Sequence, residues 1–135
     1  MKKKIYYHDT DCGGIVYYGN YLKYLEEART SLFEDHGISV SELADNNVLF
    51  VVARVEIDYK SSAHYADEID IKTWVTDIGK VKVWFEYEIK DQHGVLLTKA
   101  KTLMICVDRN IKTKAIPPEV LEKLEKMKVT GQTNA

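Results

Sequence analysis

Nothing in this chain approaches the roughly 18 consecutive apolar residues that a membrane-spanning helix needs, so no such helix is expected. The opening Met1-Lys2-Lys3-Lys4-Ile5-Tyr6 is basic but lacks an apolar h-region and a small-residue cleavage site. A secretory signal is therefore not expected, and the cytoplasm is the expected location. With only two cysteines, Cys12 and Cys106, a disulfide scaffold is excluded and both thiols are read as reduced. A net charge of −2 gives no overall attraction for nucleic acid, and no basic cluster dominates the chain. Internal repeats, linkers and low-complexity tracts are also missing. What remains, in 135 residues of which 45% are hydrophobic, is the composition of one globular domain. It is expected over residues 1–128, with 129–135 a disordered tail.

The pattern along the chain begins with a short aromatic strand, Ile5 to His8. Leu22, Leu25, Arg29, Leu32 and His36 then recur at helical spacing, widened by Tyr21, Ala28 and Phe33, with Asn20 as side-chain cap and Gly37 as terminator. This predicts a helix over Tyr21 to His36, about 24 Å long. From Val51 to Lys60 the residues alternate, with Val51, Ala53, Val55, Ile57 and Tyr59 on one face. Ile69 to Thr76 and Val81 to Ile89 alternate on either side of Asp77-Ile78-Gly79 and read as a hairpin. The run Val95 to Asp108 is apolar on both faces near its end, as a central or interface strand would be. Pro117-Pro118 opens a short helix carrying Val120, Leu121, Leu124 and Met127. One long amphipathic helix and about five strands make an α+β domain, in which the sheet must wrap the helix to bury its apolar stripe.

Chemistry concentrates between Tyr7 and Tyr21, where His8-Asp9-Thr10-Asp11-Cys12-Gly13-Gly14 leads into the helix. A carboxylate delivered to a helix start meets free backbone N–H groups, the equipment for attacking a carbonyl and holding the negative charge that results. Either aspartate could serve, or simply make a turn, since Asp before Gly commonly does. A calcium loop starting at Asp9 fails where Gly13 and Asn20 occupy ligand positions. His36, His64, His93 and Cys106 lack the spacing of a zinc site, so no metal is expected.

The run from Tyr7 to Arg29, set in this order of elements, resembles the hotdog-fold acyl-CoA thioesterases of the 4-hydroxybenzoyl-CoA thioesterase type. It resembles in particular the subgroup associated with the Tol-Pal envelope system. The resemblance implies a sheet of about five antiparallel strands wrapped around one central helix, and hydrolysis of short or medium acyl-CoA, or aroyl-CoA, to acid and CoA. It makes Asp11 the nucleophile or the general base, gives the Tyr18 backbone amide the role of polarising the carbonyl, and lets Tyr7 order substrate or water. Gly14, Ile15, Val16, Tyr17 and Asn20 become substrate-binding positions, and Lys80 and Lys82 contacts to coenzyme A. Lys99 and Lys101 repeat that lysine spacing on the next strand. No cofactor is implied. The partners implied are the acyl-CoA, an acyl carrier protein as a second donor, and further copies of the chain in a homodimer or homotetramer.

Two residues depart from the family pattern: Tyr18 stands where many relatives carry histidine, and Gly19 replaces alanine or proline. A phenol with a reference pKa near about 10 can donate a hydrogen bond but is a poor base at neutrality. Asp9 is read as holding the loop through backbone hydrogen bonds, and Arg29 as pairing with Glu26 or making an inward structural contact. The alternatives are a hotdog hydratase or dehydratase, whose histidine motif does not appear, and a non-catalytic acyl-binding or envelope scaffold module.

Overall fold

The computed structural model describes residues 1–128 apart from Cys12; the expected tail, 129–135, lies outside the described residues. Five strands, β1 (Lys2–Lys4), β2 (Leu49–Tyr59), β3 (Glu68–Ile78), β4 (Lys82–Lys90) and β5 (Leu96–Val107), form one antiparallel sheet in the order β1-β3-β4-β5-β2. The long helix α1 spans Asn20–Asp35, with shorter helices α2 (Val40–Asp45) and α3 (Pro118–Lys126) after it. No described helix is long and apolar enough to cross a membrane.

Side-chain contacts show how the sheet closes on α1. At one end of β2 Tyr59 meets Tyr21 edge-on at 5.3 Å, and at the other Phe50 meets Phe33 at 6.0 Å. Phe85 of β4 meets Phe33 at 5.8 Å, and from the opposite sheet edge Lys3 of β1 pairs with Glu27 at 3.4 Å. Both edge strands therefore touch the same helix, which is the α+β hotdog architecture with its sheet wrapped around a central helix. The core between them includes Tyr24, Leu25, Ile71, Phe85, Tyr87 and Ile89.

Gly37 ends α1 as the sequence predicts. Its φ is +73°, its amide donates to Glu34 and that of Ile38 to Phe33, the paired closure of a Schellman motif, with Phe33 and Ile38 both in the core. The expected strand at Ile5 to His8 is not there. Lys2–Lys4 pairs with β3 instead, and Tyr7–Asp9 is a single 3₁₀ turn held by the Asp9 carboxylate on the Tyr6 amide. The stripe on α1 is shifted too: Tyr24 is buried while Leu22 is exposed. In β2 an extra residue at Ala53, between the pairs Val52↔Met104 and Arg54↔Leu103, inverts the alternation. Val55, Ile57 and Tyr59 keep the helix-facing side with Phe50 and Val52, but Val51 does not join them. The short helix α2 escaped the hydrophobic pattern, although Ser39 with Glu42 three residues on is a capping signal, and the Ser39 hydroxyl accepts the Glu42 amide at 3.3 Å.

Candidate active site

The loop between the 3₁₀ turn and α1 is a miniature hairpin. Thr10 bridges to Val16, the Asp11 amide donates to the Ile15 carbonyl at 2.9 Å, and the Gly14 amide donates back to the Asp11 carbonyl at 3.1 Å. Gly14 closes the turn at φ +77°, a conformation that glycine adopts without steric cost. The next loop anchors it: Val16 donates to Ala63 and Tyr65 donates to Gly14, each at 2.9 Å.

At the tip of this hairpin the exposed Asp11 carboxylate accepts the Gly13 amide through Oδ1 at 2.8 Å, while Oδ2 has no protein partner among the described residues. Asp11 lines an open cleft of about 480 Å³ together with Ile15, Val16, Tyr17, Tyr18 and the strand-end residue Tyr59. Its remaining wall comes from Tyr21 and from Lys60, Ser61 and Ser62, which the sequence pattern did not single out. Tyr59 carried a signal in its place on the inner face of β2, and its hydroxyl donates to the Tyr18 carbonyl at 3.3 Å.

Beneath the loop, Asp9 is a hub. Its carbonyl accepts the Tyr17 amide at 3.1 Å and the Asn20 side-chain amide at 2.8 Å. The scaffolding role expected of Asp9 is the one observed. The capping role expected of Asn20 is not: Asn20 is the first helical residue after Gly19, and its side chain reaches back to Asp9 instead of down to the helix amides. Among the described residues no side chain caps α1. Among the described residues the amides of Tyr18 and Gly19 have no hydrogen-bond partner, whereas those of Tyr17, Asn20, Tyr21 and Leu22 do. Gly19 also leaves room for the Tyr17 ring, whose Cε2 would lie 2.6 Å from a Cβ placed there.

Burial pushes the Tyr21 and Tyr59 phenols above their ordinary range; the Tyr21 hydroxyl accepts the Ala63 amide at 3.2 Å. Tyr7 stands outside the cleft, exposed, its ring edge-on to Tyr65 at 5.7 Å. Lys80 and Lys82 lie at the far end of the sheet. Lys82 pairs with Ile105 and Tyr59 with Thr98, seven residues along β5 and so roughly 23 Å apart. One chain does not bring these lysines to Asp11. Lys99 and Lys101 sit on the outer sheet face opposite Asp58 and Glu56 on one side and Glu88 and Glu86 on the other. Arg29 makes the inward contact, Nη1 donating to the Tyr87 hydroxyl at 3.1 Å. Among the described residues no three His, Cys, Asp or Glu side chains converge as metal ligands would.

Comparison with known proteins adds the family. The family model described as thioesterase-like superfamily matches residues 6–124. The chain is 32% identical over 123 residues to the acyl-CoA thioester hydrolase YbgC of Escherichia coli, covering 90% of this chain and 92% of that one. It is 37% identical over 106 residues to the putative acyl-CoA thioesterase YneP of Bacillus subtilis, covering 78% and 77%. Among solved structures, a hypothetical protein from Aquifex aeolicus superposes with TM-score 0.87 at 28% identity, covering 92% of this chain and 97% of that one. The DHNA-CoA thioesterase of Staphylococcus aureus superposes with TM-score 0.90 at 25% identity, covering 100% and 93%.

Proposed function

The chain belongs to the thioesterase-like superfamily, and from that premise we propose that it hydrolyses acyl-CoA thioesters, with Asp11 as the catalytic carboxylate. The observation that carries the reading is that Asp11 and Tyr18 line one cleft, where the Tyr18 amide has no partner among the described residues. A thioester carbonyl there accepts the Tyr18 N–H and is polarised for attack. As a general base, Asp11 takes a proton from water as the water oxygen bonds to the carbonyl carbon. The tetrahedral intermediate then expels CoA as a thiolate, which the Asp11 proton neutralises. As a nucleophile, Asp11 instead displaces CoA to give a mixed anhydride, which water cleaves. The Gly13 amide on Oδ1 orients the carboxylate for either course and leaves Oδ2 to react.

The reading extends to Ile15, Val16 and Tyr17, which line the cleft, as supports of the substrate, to Gly14 and Asn20 as residues that hold the loop and the helix start, and to the subgroup linked with the Tol-Pal system, for which the Tyr7 to Arg29 signature is the support. It also makes the chain a homodimer, or a tetramer built from such dimers. Strand β2 lies at the sheet edge with Val52 and Val55 exposed on its inner face, an unpaired edge of the kind that another strand covers. Antiparallel pairing of two β2 edges would bring the Lys80 and Lys82 end of one subunit's sheet toward the Tyr59 end of the other's. In that assembly the lysines would meet coenzyme A phosphates.

The test is hydrolysis of a panel from acetyl-CoA to decanoyl-CoA with benzoyl-CoA. Turnover of at least one thioester is expected, and binding without turnover across the panel would favour a non-catalytic acyl-binding module. Label found in Asp11 after a single turnover in heavy-oxygen water marks the nucleophilic course with water attacking the Asp11 carboxyl carbon of the anhydride.

A further inference from the structure

Tyr59, the last residue of β2, is wedged against the start of α1 by three contacts. Its ring meets Tyr21 edge-on at 5.3 Å and Tyr18 edge-on at 6.3 Å, and its hydroxyl donates to the Tyr18 carbonyl at 3.3 Å. Tyr21, the anchor of the wedge, is buried, with its own hydroxyl occupied by the Ala63 amide. Because burial raises the Tyr59 phenol above its ordinary range, the proton it donates is kept at neutral pH.

The Tyr18 carbonyl and the Gly19 N–H are the two ends of one planar peptide unit, so whatever fixes the carbonyl also aims the N–H. That N–H has no partner among the described residues, and neither has the N–H of Tyr18. The turn they sit in is closed by the Asn20 amide on the Tyr17 carbonyl at 2.9 Å, with Tyr18 and Gly19 as its two central residues. Gly19 has φ −65° and ψ −24°, which makes the turn helical in sense and not of the type that needs a positive φ there. The two unmet N–H groups therefore point the same way, as the first amides of a helix do. A proline at position 19 would have no N–H to give.

We propose that Tyr59 is a positioning residue for the hydrolysis assigned to this cleft: its hydroxyl fixes the Tyr18–Gly19 peptide, and the Gly19 N–H then joins that of Tyr18 as a second donor to the thioester oxygen. The inference rests on the hydrolase reading and names a part of its machinery. When water or Asp11 adds to the carbonyl carbon, the π electron pair moves onto oxygen, and two N–H groups hold that charge until the carbonyl re-forms and the C–S bond breaks. A hydrogen bond accepted at the carbonyl end of a peptide also polarises its N–H end, so the Tyr59 hydroxyl acts on the reaction through that unit.

The experiment is Tyr59→Phe in the full chain, which keeps the ring against Tyr18 and Tyr21 and removes only the hydroxyl. Two readouts are taken. In NMR of the chain with its glycine amides labelled with heavy nitrogen, the Gly19 resonance should move, because the carbonyl before it loses a donor. Gly37, at the other end of α1, and Gly79, between β3 and β4, should stay in place. In steady-state kinetics on the best acyl-CoA of the panel, kcat should fall by about three- to tenfold, the worth of one hydrogen bond, with KM little changed. That split marks an interaction that strengthens only as the oxygen gains charge, which a merely structural contact would not produce. An unmoved Gly19 resonance, an unchanged kcat, or a rise in KM at constant kcat would overturn the proposal. A wild type that hydrolyses no thioester removes the hydrolase reading and this one with it, whereas an active wild type matched in kcat by Tyr59→Phe removes this one alone.

Discussion

The Asn20 side-chain amide donates to the Asp9 main-chain carbonyl over 2.8 Å, tying the first residue of the long helix to the loop that presents Asp11. That bond joins the two halves of the candidate site. One half supplies the carboxylate and the other the Tyr18 and Gly19 amides, which have no partner among the described residues. Replacing Asn20 by Ala should lower stability by about 1 kcal/mol, the usual net worth of one hydrogen bond. It should lower kcat more than it raises KM, because the amides lose their registration with Asp11. Thermal melts and steady-state kinetics check both, and a variant with unchanged kcat would show that Asp9 holds the helix start by its bond to Tyr17 alone.

Gly13→Ala tests the orientation of Asp11. A Cβ at Gly13 would lie 3.3 Å from Asp11 Oδ1, closer than an ordinary contact, so the carboxylate must shift by a few tenths of an ångström. The expected result is a loss of about tenfold in kcat with little change in Tm, since the loop is exposed and its turn hydrogen bonds remain.

How far the sequence reached can be judged at this loop. Apolar spacing and Gly37 were enough to bound α1, because a 16-residue amphipathic helix repeats its signal many times. The Ala53 bulge left no such trace: one added residue inverts a strand's faces while every residue type stays compatible with either side. Asp9 and Asp11 look alike in sequence. They part only in the fold, where Asp9 is buried against Tyr6 and Asp11 is exposed at the cleft. Lys60, Ser61 and Ser62 reach the cleft through tertiary packing, which no local pattern encodes.

Tyr24 offers a test of the core and of its pH dependence. Its hydroxyl is buried without a hydrogen-bond partner among the described residues, and burial, together with the nearby Asp9 carboxylate, pushes its phenol upward. Burial likewise raises Tyr21 and Tyr87 above the ordinary value of 10.0. In the unfolded chain these phenols ionise near pH 10, while the folded chain keeps them neutral to higher pH. Stability is therefore full below pH 10 and falls as the pH rises above it. Tyr24→Phe should leave stability at pH 7 unchanged or raise it by up to about 1 kcal/mol, since no bond is lost. It should also flatten the alkaline decline seen in denaturant titrations between pH 9 and 11, the range set by a reference pKa of about 10.

The edge strand carries the prediction about assembly. Val55 is 38% exposed in the single chain, so Val55→Lys should fold normally. If two β2 edges pair, it buries an unpaired charge, a change that in interfaces costs about 2–5 kcal/mol. Sedimentation should show a dimer or tetramer for the wild type and a monomer for the variant, with hydrolysis falling alongside. A monomeric wild type that hydrolyses acyl-CoA would remove the role assigned to Lys80 and Lys82.

The most direct measurement is kcat of Asp11→Asn against wild type on the best acyl-CoA of the panel, with Tm recorded for both. The carbonyl oxygen of asparagine can still accept the Gly13 amide, so the loop should keep its shape and Tm its value. The account predicts a fall in kcat of about 10² or more, the usual share of a positioned acid–base or nucleophilic group. Undiminished hydrolysis in Asp11→Asn would contradict it.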